Sequence, residues 1–170
     1  MSVHTEEKIR ILLVCMGNIC RSPTAEGVLR AMAEQVGLAD VIELDSAGTH
    51  GFHIGAAPDR RTQLAAARRG YDLSGLRARQ VGESDFLRFD LILAMDRDNL
   101  ALLEQACLPG HRRKLKLFLD YAGDCGEDEM PDPYYGGPDG FERVLDLTEL
   151  AAKGLLERVL RRRAAFDEKP

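Results

Sequence analysis

Cys15 and Arg21 bracket the stretch Cys15-Met16-Gly17-Asn18-Ile19-Cys20-Arg21-Ser22-Pro23. A cysteine followed at this spacing by an arginine suits nucleophilic attack on a bound phosphoryl group. Gly17 and Asn18 tolerate left-handed backbone angles, so successive amides between them can turn inward as an anion nest. Arg21 would close that ring with a planar guanidinium matched to two phosphate oxygens. A thiol on the floor of such a ring feels every positive dipole, which favours the thiolate at neutral pH. Its attack would leave a cysteinyl-phosphate. One carboxylic acid then suffices to protonate the leaving alcohol and afterwards to activate water. Asp132, held between Pro131 and Pro133 and followed by Tyr134 and Tyr135, is the best-placed candidate. The tyrosines would supply an apolar wall beside it.

These residues need elements to position them. Arg10 to Cys15 is an apolar run of strand length, suited to a central parallel strand covered on both faces. Ser22-Pro23 reads as a helix start, with Ser22 as N-cap, and apolar residues recur at helical spacing from Ala25 until Gly37. Val41–Leu44 predicts a second strand and Pro58–Arg69 a second helix. Phe89–Met95 predicts a third strand, Asn99–Cys107 a helix, and Lys114–Leu119 an edge strand. Tyr121–Gly140 is the longest loop, and Phe141–Arg163 a long amphipathic helix, with a fraying tail from Asp167 to Pro170. This alternation predicts an α/β fold: a single-domain open parallel sheet of about four strands, flanked by helices on both faces, with a phosphate-binding loop after the first strand. The expected domain spans 1–170, its core running from about 9 to 163 between tails 1–8 and 167–170.

Composition narrows the function. Charged residues make up 30% and hydrophobic ones 45%, the balance of a globular chain rather than a disordered one. Twenty-three basic against 28 acidic residues leave a net charge of −5, which speaks against broad nucleic-acid binding. No apolar run approaches a membrane span, and Met1–Arg10 is too polar for a secretory signal, so a cytoplasmic protein without membrane partners is expected. Four cysteines are too few for a disulfide scaffold. Cys107 and Cys125 read as core or loop thiols, and the basic runs Arg112-Arg113-Lys114 and Arg161-Arg162-Arg163 as solvated ends. His50 and His53 lack further ligands at usable spacing, so they read as surface loop residues. No metal and no cofactor are expected.

Across Ile9 to about Arg163 the sequence resembles the low-molecular-weight protein tyrosine phosphatases. The resemblance rests on V-C-M-G-N-I-C-R-S-P-T-A-E (Val14–Glu26), D-S-A-G-T (Asp45–Thr49), F-D-L-I-L-A-M-D (Phe89–Asp96) and D-P-Y-Y-G (Asp132–Gly136). It implies Cys15 as nucleophile, Arg21 as phosphate clamp and Asp132 as general acid and then base. It also implies a phosphate-binding loop of Met16, Gly17, Asn18, Ile19, Cys20 and Ser22. In it Asn18 and Ser46 would support the backbone, and Ser22 would hydrogen-bond the Cys15 sulfur. Met16, Phe52, Tyr134 and Tyr135 would form the slot for a phenyl ring, and Cys20 would pair with Cys15 under oxidation. Implied partners are tyrosine-phosphorylated proteins or peptides, with inorganic phosphate or other oxyanions as inhibitors and a monomer or weak dimer as the assembly. Many relatives carry Trp or Tyr at the place of Phe52, and some a His near Leu76.

Three rival functions follow from the same loop. An arsenate reductase on this scaffold needs two further cysteines close together in mid-chain, and none lies between Cys20 and Cys107. A protein-arginine phosphatase would favour a small polar residue where Ile19 stands; the apolar Ile19 favours an aryl ring over a guanidinium. A non-enzymatic phosphate or redox sensor would not need Asp132.

Overall fold

In a computed structural model, which describes residues 8–167, β1 (Ile9–Cys15) alternates its side chains between two apolar layers. Ile11, Leu13 and Cys15 enter one core with Val28, Leu29, Val144 and Leu155, whereas Leu12 and Val14 enter another with Phe86, Phe89 and Leu103. A strand buried on both faces must have helices on both faces, and that requirement organises the rest. α1 (Arg21–Gln35) and α5 (Pro138–Asp167) cover the first face. α3 (Glu83–Arg88) and α4 (Arg97–Ala106) contribute Phe86 and Leu103 to the second. α2 (Arg60–Arg68) packs against α5 through the first layer, bringing Ala65 and Ala66 into it.

The sheet order is β2-β1-β3-β4, all pairs parallel, with β2 (Ile42–Gly48), β3 (Leu91–Ala94) and β4 (Leu115–Leu117). The chain leaves β1 toward β2 on one side and resumes on the other side at β3. The carboxyl end of β1 is therefore the switch point of the sheet, where open α/β folds form their ligand crevice.

Several elements differ from the sequence expectation. Ser22 is not the cap of α1: the helix begins at Arg21 and its cap residue is Cys20, with no side-chain hydrogen bond. Ser22 is instead fully buried beneath the loop. α3 went unforeseen, because six residues give too little periodicity; the Asp85 carboxylate caps it by accepting from Gly82 N–H at 2.8 Å. α4 begins two residues earlier than its apolar pattern, capped by Asp96, which accepts from Asn99 N–H at 2.8 Å. β4 keeps three residues of the six expected, since a 3-10 turn at Phe118–Tyr121 follows it. α5 starts at Pro138 and runs to Asp167, longer than its apolar stripe at both ends. Of the polar N-terminal stretch Met1–Arg10, the first seven residues lie outside the described residues, as do the last three of the expected fraying tail.

Candidate active site

β1 ends at Cys15, α1 begins at Arg21, and the five residues between them wrap the space above the sulfur. The Asn18 N–H points to Cys15 Sγ at 3.3 Å, and the Ser22 hydroxyl lies 3.0 Å from it. No acceptor among the described residues takes the main-chain N–H groups of Met16, Gly17, Ile19 or Cys20. Four uncommitted amides beside a helix N-terminus make a nest for a dianion. The carbonyls of the same loop face away and are tied down, Cys15 O by Thr49 N–H (2.8 Å), Met16 O by His50 N–H (3.0 Å) and Ile19 O by Asp59 N–H (2.8 Å). Amides inward, carbonyls outward. Gly48 permits this close approach, since a Cβ there would sit 2.7 Å from Met16 O.

Turning the loop this way puts Asn18 at φ 58, the sole left-handed non-glycine among the described residues. Such a conformation persists only where its surroundings over-determine it. Here they do. The Asn18 amide nitrogen donates to Ser22 Oγ (2.8 Å) and Ser46 Oγ (2.9 Å), and Ser46 donates to the buried Glu26 carboxylate (2.8 Å). The Asn18 carbonyl accepts from Arg79 N–H at 3.0 Å.

The Arg21 guanidinium is buried, yet three oxygens hold it: Asp96 at 2.6 Å, the Met130 carbonyl at 3.2 Å and Asp132 at 3.5 Å. Burial opposes its charge, but the neighbouring Cys15, the Asp96 hydrogen bond and Asp132 outweigh that, and its pKa is raised. Met130 is buried and its N–H donates to the carbonyl of Met95, the residue just after β3, at 2.7 Å, which anchors the loop two residues before Asp132. Asp132 itself is half-exposed and accepts from Tyr134 N–H at 3.1 Å.

Cys15, Met16, Gly17, Ile19, Cys20, Arg21, Phe52, Asp132, Tyr134 and Tyr135 line one cavity of about 410 Å³. Asn18, Ser22 and Ser46 lie buried outside this lining. Tyr134 packs edge-on to Tyr135 with centroids 4.9 Å apart, while the Arg61 guanidinium sits 5.4 Å over the Tyr134 ring. Phe52 stands largely exposed at the rim, stacked on His50 at 5.0 Å. His53 corrects the expectation of a surface loop residue, for it lines the cavity and packs over Gly17. Its neighbour along the sequence motif, Ile54, is exposed instead. Cys20 is buried, and its thiol is pushed up to about 12, first by burial, with the carboxylates of Asp59 and Asp132 nearby adding to it. At neutral pH it is therefore a protonated, uncharged thiol.

Sequence reasoning gave no role to Glu26, Arg79, Asp96 or Met130. Glu26 and Asp96 stand at the ends of motifs already in view, and a carboxylate closing each motif was the available signal. Nothing local marks Arg79 or Met130, which meet the loop only through tertiary contacts.

Comparison with known proteins bears on this arrangement directly. Residues 10–165 match the family model described as low molecular weight phosphotyrosine protein phosphatase. A low molecular weight protein-tyrosine-phosphatase of Streptomyces coelicolor is 46% identical over 154 residues, covering 88% of this chain and 93% of that protein. The crystal structure of a protein tyrosine phosphatase from Entamoeba histolytica, with Hepes in its active site, superposes with a TM-score of 0.88 at 38% identity, covering 92% of this chain and 99% of the other. YfkJ from Bacillus subtilis gives 0.86 at 40% identity over 92% and 97%. With the match running from within the first strand to the last helix, the chain belongs to the low molecular weight phosphotyrosine protein phosphatase family.

Proposed function

We propose that this chain is a protein-tyrosine phosphatase that hydrolyses aryl phosphomonoesters through a cysteinyl-phosphate intermediate. The observation that carries the reading is the meeting of Cys15, Arg21 and Asp132 on one cavity, with Arg21 reaching Asp132 at 3.5 Å. The phosphate dianion would sit in the amide nest with two oxygens on Arg21. The Cys15 thiolate attacks phosphorus in line, the bond to the aryl oxygen breaks, and Asp132 gives its proton to the departing phenolate. Water then attacks the thiophosphate, Asp132 takes its proton, and the phosphorus–sulfur bond breaks. Ser22 accepts from Asn18, which leaves its own proton for the sulfur, so the thiolate is stabilised both as nucleophile and as leaving group. Charge on the equatorial oxygens is met by fixed amides and Arg21, the kind of electrostatic stabilisation that dominates such transfers.

Tyr134, Met16, Ile19 and Phe52 give the cavity aromatic and aliphatic walls suited to a phenyl ring and unsuited to a charged guanidinium. Tyrosine-phosphorylated proteins or peptides are the substrate class, and inorganic phosphate would compete for the nest. Under peroxide, a sulfenic acid on Cys15 would condense with the Cys20 thiol, forming the disulfide and releasing water, which protects the nucleophile from further oxidation. A cytoplasmic setting belongs to the same proposal; among the described residues no helix is long and apolar enough to cross a membrane. The test is hydrolysis of p-nitrophenyl phosphate and of a phosphotyrosine peptide by the wild type and Cys15→Ser. The variant should bind phosphate and lose turnover. Appreciable residual activity would remove Cys15 from the reaction.

A further inference from the structure

The Asn18 side-chain amide must be oriented for its two hydrogens to reach Ser22 and Ser46. The Arg79 main chain does it. Its N–H donates to Asn18 Oδ1 (3.0 Å), while its carbonyl accepts from Gly48 N–H (2.8 Å) and Val81 N–H returns to Gly48 O (2.9 Å). This orientation has a chemical consequence. With its oxygen committed to Arg79, the Asn18 amide must present both hydrogens to Ser22 and Ser46. Ser22, already an acceptor, then has its proton free for Cys15 Sγ. A flipped amide would reverse that order and turn the Ser22 proton away from sulfur.

What holds Arg79 in place lies outside the cavity. From Gly70 to Gly82 the chain forms no helix, and its only ladder contact is the bridge between Gly48 and Gln80. The Arg79 side chain fastens this segment: NH1 and NH2 fork onto the two oxygens of the buried Asp85 carboxylate, each at 3.0 Å. Its Nε donates to Asp45 Oδ2 at 3.1 Å. Asp45 precedes Ser46 on β2, so one guanidinium ties together two of the three groups that meet the Asn18 amide, the Arg79 main chain and Ser46. Neither Arg79 nor Asp85 lines the cavity.

We propose that Arg79, forked on Asp85 and Asp45, is a positioning residue that sets the Asn18 amide and through it the Ser22 proton on Cys15. The role deepens the phosphatase reading, but alkylation and phosphate binding test it without turnover. In Arg79→Ala, iodoacetamide should label Cys15 about tenfold more slowly at slightly acid pH, and the inhibition constant of inorganic phosphate should rise by a similar factor. With p-nitrophenyl phosphate, kcat should fall more than KM rises. Arg79→Lys keeps the charge without the fork and should fall between the two. Arg88→Ala, which removes an ion pair with Glu43 on the same sheet edge, should leave all three values unchanged. Wild-type labelling and phosphate affinity in folded Arg79→Ala would overturn the proposal. If that variant does not fold, Arg79→Lys carries the comparison, and wild-type values there overturn it equally. A wild-type protein with no turnover would sink the phosphatase reading alone.

Discussion

The carboxylate of Asp96 joins two helix starts: Oδ2 lies 2.6 Å from the Arg21 guanidinium at the head of α1, and Oδ1 accepts the Asn99 N–H at the head of α4. A buried guanidinium needs such a partner, because an uncompensated charge in the interior is costly. It also needs a partner that does not compete for the phosphate. Asp96 answers both requirements by holding NH1, so that NH2 faces Asp132.

Asp96→Asn separates these duties. Asparagine is as good an N-cap as aspartate, so α4 should stay capped and the thermal midpoint should change little. The guanidinium loses its charge-assisted anchor, and kcat/KM for aryl phosphates should drop about tenfold. Asp96→Ala should lose both, with about 1 kcal/mol of additional destabilisation from the missing cap. Unchanged kinetics in Asp96→Asn would show that Arg21 is held by Met130 and Asp132 alone.

Alkaline pH should destabilise the protein through Cys20. Its thiol rises from an ordinary 9.0 to about 12 on folding, so the native state holds this proton more tightly than the unfolded chain. The resulting stability is complete below pH 9.0 and is lost as pH climbs toward about 12. Each pH unit crossed in that window removes about 1.4 kcal/mol. Urea unfolding from neutral to strongly alkaline pH should show a steeper decline for wild type than for Cys20→Ala. Parallel declines would mean that Cys20 ionises as freely in the fold as outside it.

Asp132→Ala should act according to the leaving group. Phenyl phosphate, whose phenolate needs a proton, should lose about a hundredfold in kcat, within the usual range for general acid catalysis. p-Nitrophenyl phosphate, which departs as a stable anion, should lose less in the step that forms the thiophosphate, read as the burst of nitrophenolate. Equal losses in both burst rates would take the acid role away from Asp132.

The tertiary structure explains why some of this was legible beforehand and some was not. β1 was legible because a strand stretch buried on both faces must be apolar throughout, and the five consecutive residues Ile11–Cys15 are enough to show it. The loop was legible because a nest needs glycine or asparagine where the backbone turns left-handed; of the two candidates beside Cys15, Asn18 takes that conformation and Gly17 does not. Ser22 shows the opposite case. Its type and its place before Pro23 suit a helix cap, and local chemistry alone favours that reading. Tertiary contact decided otherwise: the buried hydroxyl accepts from the Asn18 amide and lies 3.0 Å from the Cys15 sulfur.

The chain order by itself therefore determined the parallel α/β layering and the glycine- and asparagine-bearing loop between β1 and α1, because periodicity and backbone freedom are local properties of residue types. Which way the Asn18 amide faces, what grips Arg21 and how His53 reaches the cavity were decided only in three dimensions. Each depends on groups between 36 and 109 positions apart being brought within hydrogen-bond or van der Waals reach, and no window of sequence contains both partners.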